Sequence, residues 1–288
     1  KYLFEGSLRY DQSDKFPVNN RGAVFTAVSA GWVATKEDFW PADSKINFLK
    51  VRGSWGQNGS KANLRGNADV VDLQGNSPGY QGLPLEYEGD SGILFGNIPN
   101  QNLIWETSEQ LDFGVETRSF DNRLDFNIGY YIKDTKDLAI NNGSLITPPS
   151  AGGTILEFNG GSVRNKGLEV ELGWNDTTDS GFRYGINFNL STLDNEVTEI
   201  AFVPEGTSLE GAGAPQNDDG ITRFSEGLPA WYFYGHETDG IDAATGQIIY
   251  TATGTTDTPT NDQKTMIGSP HADIMYGGNI KLGYKAFD

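Results

Sequence analysis

Apolar and polar residues alternate along seven stretches of this chain, each for about eight or more positions. Tyr2, Phe4, Leu8 and Tyr10 interleave with Glu5, Ser7, Arg9 and Asp11. Leu49, Val51 and Trp55 interleave with Lys50, Arg52 and Ser54, and Leu111, Phe113, Val115 and Thr117 with Gln110, Asp112 and Glu116. Leu124, Phe126, Ile128, Tyr130 and Ile132 oppose Asp125, Asn127 and Lys133. Leu168, Val170, Leu172 and Trp174 oppose Glu169, Glu171 and Asn175. Phe182, Tyr184, Ile186, Phe188 and Leu190 oppose Arg183, Asn187, Asn189 and Ser191, and Tyr276, Ile280, Leu282 and Tyr284 oppose Asn279, Lys281 and Lys285. Successive side chains of a strand point to opposite faces, so a period of two means one greasy face and one polar face.

With a less regular stretch around Val24, Val28 and Trp32, the predicted strands are 1–11, 22–33, 46–56, 107–118, 122–134, 165–175, 181–193 and 274–285. Short connections at 119–121 and 176–180 carry turn residues. Long ones lie at 57–106, 135–164 and 194–273, while 12–21 and 34–45 are similar in length and decide nothing. Short turns at one end and long loops at the other describe a transmembrane antiparallel β-barrel, whose strands show apolar residues to lipid and polar ones to the lumen. The expected fold is all-β: about eight strands of a larger barrel, with 12–21 and the long loops extracellular and 34–45 on the inner side. Two strand–turn–strand units, Leu111 to Lys133 and Leu168 to Leu193, fit a meander of hairpins. Tyr2 and Tyr10 share a face eight residues apart, as do Tyr276 and Tyr284. That separation is roughly 26 Å along a strand, or near 20 Å of height at a tilt of about 40°, close to an apolar band of ~25 Å.

Composition agrees with a barrel. The hydrophobic share is only 36%, with 37 glycines and 12% aromatics, and no run approaches the ~18 apolar residues of a transmembrane helix. Cysteine is absent, which removes disulfides, thiolate zinc sites and cysteine nucleophiles. Net charge is −18, and residues 195–262 hold twelve acids against a single base, Arg223. No basic stripe is available to neutralise phosphates, so no nucleic-acid partner is expected.

The polar face offers Glu5, Arg9, Lys50, Arg52, Glu116, Lys133, Glu169, Glu171 and Arg183 as lumen-lining residues. A wet lumen needs polar residues in any case, so each has a bland reading as a paired wall charge. Loop aromatics are the better substrate-binding candidates: Tyr80 and Tyr87 in the first long loop, and Trp231, Tyr232 and Tyr234 in the acidic one. Aromatic faces stack on sugar rings or peptide side chains at small entropy cost, although packing within a long loop explains such residues as well. His236 and His271 are too few for a histidine metal cluster, and no nucleophile-elbow serine or spaced carboxylate pair stands out. No enzyme activity, no catalytic residue, no metal and no cofactor is expected.

Several stretches resemble the SusC/RagA-like TonB-dependent transporter family of the outer membrane. They are Arg9-Tyr10-Asp11 with Asn19-Asn20-Arg21, Val28-Ser29-Ala30-Gly31-Trp32, and Leu49 to Gly59 (LKVRGSWGQNG). Pro99 to Thr107 (PNQNLIWET), Tyr130 to Leu138 (YYIKDTKDL), Asn165 to Val170 (NKGLEV) and Ile267-Gly268-Ser269-Pro270 follow in the family's order. The resemblance covers nearly the whole chain. It implies a 22-stranded barrel filled by a plug, import of oligosaccharides or peptides, a TonB contact through a region absent from this chain, and a SusD-like surface lipoprotein as partner. Residues 1–288 would be the later part of that barrel, without the plug, the earlier strands and the final strands. One departure is visible: where the family often carries an Asp/Asn-rich cation loop, Tyr250 to Pro259 reads YTATGTTDTP, with too few carboxylates for Ca²⁺. A secreted all-β carbohydrate-binding sandwich, and a passive porin or adhesin barrel, remain the alternatives.

Overall fold

The computed structural model describes residues 1–61, 72–74, 86–87, 90–91, 94–98, 100–140, 154–155, 158–201, 203–204, 206–211, 213–214 and 217–285. Eight long strands organise it. They are β1 (Tyr2–Gln12), β2 (Gly22–Val33), β3 (Ile46–Ser60), β4 (Glu106–Ser119), β5 (Leu124–Ile140), β6 (Phe158–Thr177), β7 (Phe182–Thr192) and β8 (Ile274–Tyr284). They lie side by side in chain order, and every neighbouring pair is antiparallel. The sheet is a meander, as the repeated hairpin units predict. β1 and β8 end it without pairing with each other, so these strands form a wall rather than a closed barrel.

The register puts the two faces where the alternation does. One transverse row reads Phe4, Ala30, Gly53, Phe113, Tyr130, Leu168, and another runs Leu172, Phe188, Gly278. These apolar side chains are not a core. Phe4 is 80% exposed, Leu8 76%, Tyr276 77% and Ile280 70%. Soluble proteins rarely expose contiguous apolar patches beyond a few hundred Å², so a face of this extent belongs against hydrocarbon. The opposite face is polar, and it is concave. One cavity on it, of about 630 Å³, is lined by Arg52 and Glu116 as well as by Glu169, Ser191 and Gly277, which belong to strands as far apart as β3 and β8. Only a sheet curled towards its polar side brings such distant strands around one space.

On the outer face the apolar band ends differently at its two edges. At the short-turn end it finishes in aromatics: Tyr2 stacks on Trp32 and Phe182 on Tyr184, while Phe39 packs tilted on Trp32 and Phe120 tilted on Trp174. At the long-loop end the outermost strands β1 and β8 carry exposed Tyr10 and Tyr276, while the strands between them finish in ion pairs. Glu109 accepts from Gln57 at 2.8 Å and from Lys136 at 2.7 Å, Arg164 forks onto Asp134 at 2.7 and 3.0 Å, and Lys166 meets Asp194 at 3.0 Å. Aromatic rings suit a membrane interface and charges suit the water beyond it, so together the two edges fix the height of the band.

Turns close the short end. The β4–β5 connection holds Phe120, Asp121 and Asn122 at φ of 55, 60 and 64°, a left-handed run that Asp and Asn tolerate and Phe does not favour. In the β6–β7 turn Gly181 takes φ 80°, and the Thr178 hydroxyl accepts the Phe182 N–H at 3.1 Å. At the other end β3, β5 and β6 run past their predicted limits, to Ser60, to Ile140 and back to Phe158. These extensions rise above the apolar band, where membrane alternation no longer constrains the sequence.

Candidate functional site

All nine wall residues named from the sequence stand on the concave polar face, which the register orders into rows. One row, Lys50–Glu116–Asn127–Glu171–Asn189, crosses from β3 to β7. A neighbouring row is Arg52–Gly114–Gly129–Glu169–Ser191. Lys50 and Arg52 both reach Glu116, at 3.3 and 3.0 Å. Glu171 accepts a hydrogen bond from Asn127 at 3.1 Å. Nearer the long loops, Arg9 pairs with Asp11 at 2.9 Å and donates to Asn58 at 2.5 Å. At the short-turn end Arg183 donates to the Lys285 carbonyl at 3.3 Å. Glu5, Lys133 and Glu169 make no hydrogen bond or ion pair with any described residue. Partly exposed pairs of this kind contribute little stability.

Two small cores at the long-loop end hold the rim. In the first, Phe16 stacks on Trp105 with centroids 4.6 Å apart, Phe25 meets Trp105 edge-on at 5.9 Å, and Leu103 completes the cluster. Asn20 donates to the Leu103 carbonyl at 3.0 Å and the Trp105 indole to the Arg21 carbonyl at 3.3 Å. Asn159 then clamps three segments. Its side chain accepts the Ile104 N–H at 2.8 Å and donates to the carbonyls of Ile104 at 2.9 Å and Asp137 at 2.7 Å.

The second core belongs to the acidic loop. Beyond Leu193 the β7 line continues as a strand, Asp194–Ile200, which pairs with the upper half of β6, in the same register as far as Val197 and then shifted by a bulge between Ser162 and Val163. Its Val197 opposes Val163, on the face that also carries Glu169 and Glu171. Val163, Val197, Ile200, Leu209, Phe224 and Ala230 are buried together there, so this part of the loop packs on the lumen side of the wall. Strands Leu209–Glu210, Thr222–Phe224, Tyr232–Gly235 and Thr265–Gly268 form a small sheet around the core. Asn195 and Glu226 tie it to the wall by accepting the Ala230 and Ile200 N–H groups at 2.7 and 2.6 Å.

The loop aromatics occupy different environments within this cap. Tyr232 is buried, with its hydroxyl 3.1 Å from that of Ser225. Trp231 is 44% exposed, packs on Phe224 at 5.2 Å and takes a left-handed φ of 59°. Tyr234 lies under the Arg223 guanidinium at 4.8 Å, and Arg223 also pairs with Glu210 at 3.0 Å. Tyr87 falls in the two-residue strand Glu86–Tyr87; Tyr80 lies outside the described residues. His271 contacts the Ala230 carbonyl at 3.0 Å. In the hairpin of Thr238–Ile241 and Ile248–Tyr250, the Thr245 hydroxyl and then the Ala244 N–H hold the Asp242 carboxyl below its ordinary range.

Alternation alone did not reveal the Asp194–Ile200 strand, the Asn159 clamp or the outer ion-pair belt. The belt did have a signal. Glu109, Asp134 and Lys166 each sit two residues above an apolar outer position, at Leu111, Ile132 and Leu168.

A curled antiparallel wall, greasy outside and polar inside, with short turns at one end and folded loops at the other, is a stretch of membrane β-barrel. More narrowly, residues 1–275 match the family described as "TonB dependent receptor-like, beta-barrel", and the chain belongs to that family. Among curated relatives, TonB-dependent receptor P3 of Formosa agariphila is 29% identical over 313 residues, covering 100% of this chain and 29% of the relative. TonB-dependent receptor SusC of Bacteroides thetaiotaomicron is 24% identical over 297 residues, again covering 100% and 29%. The chain thus spans under a third of the length of these relatives. Among solved structures, the RagAB peptide importer in its open-open state superposes with a TM-score of 0.79 at 25% identity, covering 99% of this chain and 29% of that one. The RagAB peptide transporter structure gives 0.78 at 24% identity, covering 99% and 30%.

Proposed function

We propose that this span is part of the barrel wall of an energised outer-membrane importer of the SusC/RagA kind, taking up oligosaccharides or peptides. In that reading the remaining strands, a plug and a TonB-contacting segment come from the rest of the polypeptide, and a SusD-like lipoprotein sits over the long-loop end. The observation that carries it is the wall itself: outer positions such as Phe4 and Ile280, 80% and 70% exposed, back directly onto a polar face with open cavities. A wall of that kind separates lipid from a water-filled path. Family membership supports active uptake over passive diffusion; the RagAB peptide importer among the similar structures supports peptides, and oligosaccharides enter through the resemblance to the SusC/RagA-like family.

Capture would begin at the long-loop end. Trp231 and Tyr234 are the proposed solute contacts there, with Tyr232 bracing them from within the cap and Tyr80 and Tyr87 acting from the first long loop. The nine wall charges would then line the path. The test is uptake by cells carrying the full-length protein. Accumulation of a labelled oligosaccharide or peptide that stops when TonB is deleted supports the reading. Accumulation unaffected by that deletion, or recovery of the protein in the soluble fraction, contradicts it.

A further inference from the structure

We propose that the connection between β2 and β3, residues 34–45, is a ledge lying in the lipid interface at the short-turn end. Its rings rest on phospholipid where acyl chains meet headgroups, and the Lys45 ammonium contacts the phosphates. The inference concerns how the wall sits in its membrane and holds whatever solute the protein carries.

The ledge grows out of the lipid-facing side. One outer row of the register runs Tyr2, Trp32, Val51, Val115, Ile128, Val170. Phe39 packs on the Trp32 ring of that row with centroids 6.2 Å apart, and Trp40 on Phe39 at 6.4 Å. The Trp40 indole N–H donates to the Ile46 carbonyl at 3.3 Å, which ties the rings to the start of β3. One residue earlier, the Lys45 ammonium stands 6.0 Å over the Phe120 ring, and Phe120 packs on Trp174 at 6.1 Å. Contacts therefore follow the short-turn edge from β1 to β6. Phe39 is 66% exposed, Phe120 42% and Ile46 37%. They stand on the side away from the lumen, so what fills the barrel does not cover them. Continuity with the apolar band names lipid as the occupant.

The backbone of the connection suits the same place. The Glu37 and Trp40 N–H groups donate to the Ala34 and Glu37 carbonyls at 3.1 and 3.0 Å, and Ser44 N–H to the Pro41 carbonyl at 3.2 Å. Ile46 N–H takes the Ser44 hydroxyl at 3.2 Å, and the Trp32 indole takes the Glu37 carboxylate at 3.1 Å. Water would satisfy such donors anyway, but next to hydrocarbon each must find a partner within the protein. The β6–β7 turn at the same end is built differently: residues 177–181 read TTDSG, with no large apolar side chain.

Charge marks the depth. The connection carries Lys36, Glu37, Asp38, Asp43 and Lys45. Lys45 makes no ion pair among the described residues, and its stem lies along the ring edge of the band. A lysine placed so keeps its methylenes on apolar surface and its ammonium among the headgroups.

The experiment uses the full-length protein, with any cysteines elsewhere replaced, in phosphatidylcholine vesicles. A fluorophore on Phe39→Cys or Phe120→Cys should be quenched at least about twofold more by lipid brominated near the headgroup than by lipid brominated near the chain end, and should be shielded from iodide. One on Asp179→Cys, in the β6–β7 turn, should respond to iodide alone. At low salt, brominated phosphatidylglycerol should quench the Phe39 site about twofold more than the same fraction of brominated phosphatidylcholine. Lys45→Gln should abolish that preference and Lys36→Gln should keep it. Iodide quenching at both ring sites without a response to lipid overturns the proposal, because the connection then lies in water. Shielding from both quenchers overturns it too, because protein, such as a second copy of the chain, then covers the ledge. A headgroup preference that is missing in the wild type, or that survives Lys45→Gln, removes the phosphate contact and overturns the proposal as stated. A fluorophore at Ile280 still quenched by lipid would show, in each of these cases, that the wall faces are as assigned and that the ledge alone has failed.

Discussion

The wall and the acidic loop obey opposite rules. Along β1, β7 and β8 the large apolar side chains point away from the rest of the protein, with Tyr276 77% exposed and Ile186 50%. In the loop that begins at Asp194 they point inwards, with Val197 at 0% and Phe224 at 5%. A single chain therefore changes solvent partway along its length. The wall gains stability from its hydrogen-bonded ladder and from lipid, and the loop from an ordinary dry core. The change happens at one point on the β7 line. Gly167 permits it: a Cβ there would lie 2.0 Å from the Thr192 carbonyl oxygen, next to the residue where the line leaves β8 and enters the cap.

Substitutions should separate the two regions. Phe224→Ala should show the largest effect, about 3–5 kcal/mol of local stability. It should appear as faster proteolysis within 201–273 while the wall keeps its heat-resistant mobility on gels. Next comes the wall. Leu172→Arg should oppose membrane assembly by ~2–4 kcal/mol near the midplane, measured by folding into liposomes, while Asn187→Arg should be tolerated. Equal effects at these two sites would erase the contrast between faces. Gly167→Val should cost roughly 1–3 kcal/mol through the clash with Thr192, read by hydrogen exchange of the Asp194–Ile200 strand with the β1–β3 amides unchanged. Asn159→Leu should cost about 1–3 kcal/mol by leaving the Ile104 and Asp137 backbone groups unpaired, seen as local exchange at the rim.

The wall was legible because a membrane strand repeats one physical demand at every second residue. Phe113, Tyr130 and Leu172 announced their face, and the strand cores fell where the alternation put them. The extensions of β3, β5 and β6 were not legible, since Asn58, Lys136 and Arg164 stand above the lipid, where both faces are polar. The cap was hidden for a related reason. Its core draws on Val163 and Val197, which occupy lumen-facing positions that the wall rule assigns to polar residues, together with Leu209, Phe224 and Ala230 from short segments with no period of their own. Of the candidate site, the wall charges could be placed from their alternation. Their partners depend on long-range register, as with Lys50 and Arg52 both meeting Glu116, and local sequence does not encode that.

The central claim is that the greasy side of these strands meets hydrocarbon and the polar side meets water. The chain has no cysteine, so single cysteines can report on each face once any elsewhere in the full-length protein are removed. A fluorophore at Leu172, Ile186 or Ile280 should be quenched by brominated lipid and shielded from iodide; one at Glu171, Asn187 or Asn279 should show the reverse. Iodide quenching at the first three positions with no response to brominated lipid would contradict the account.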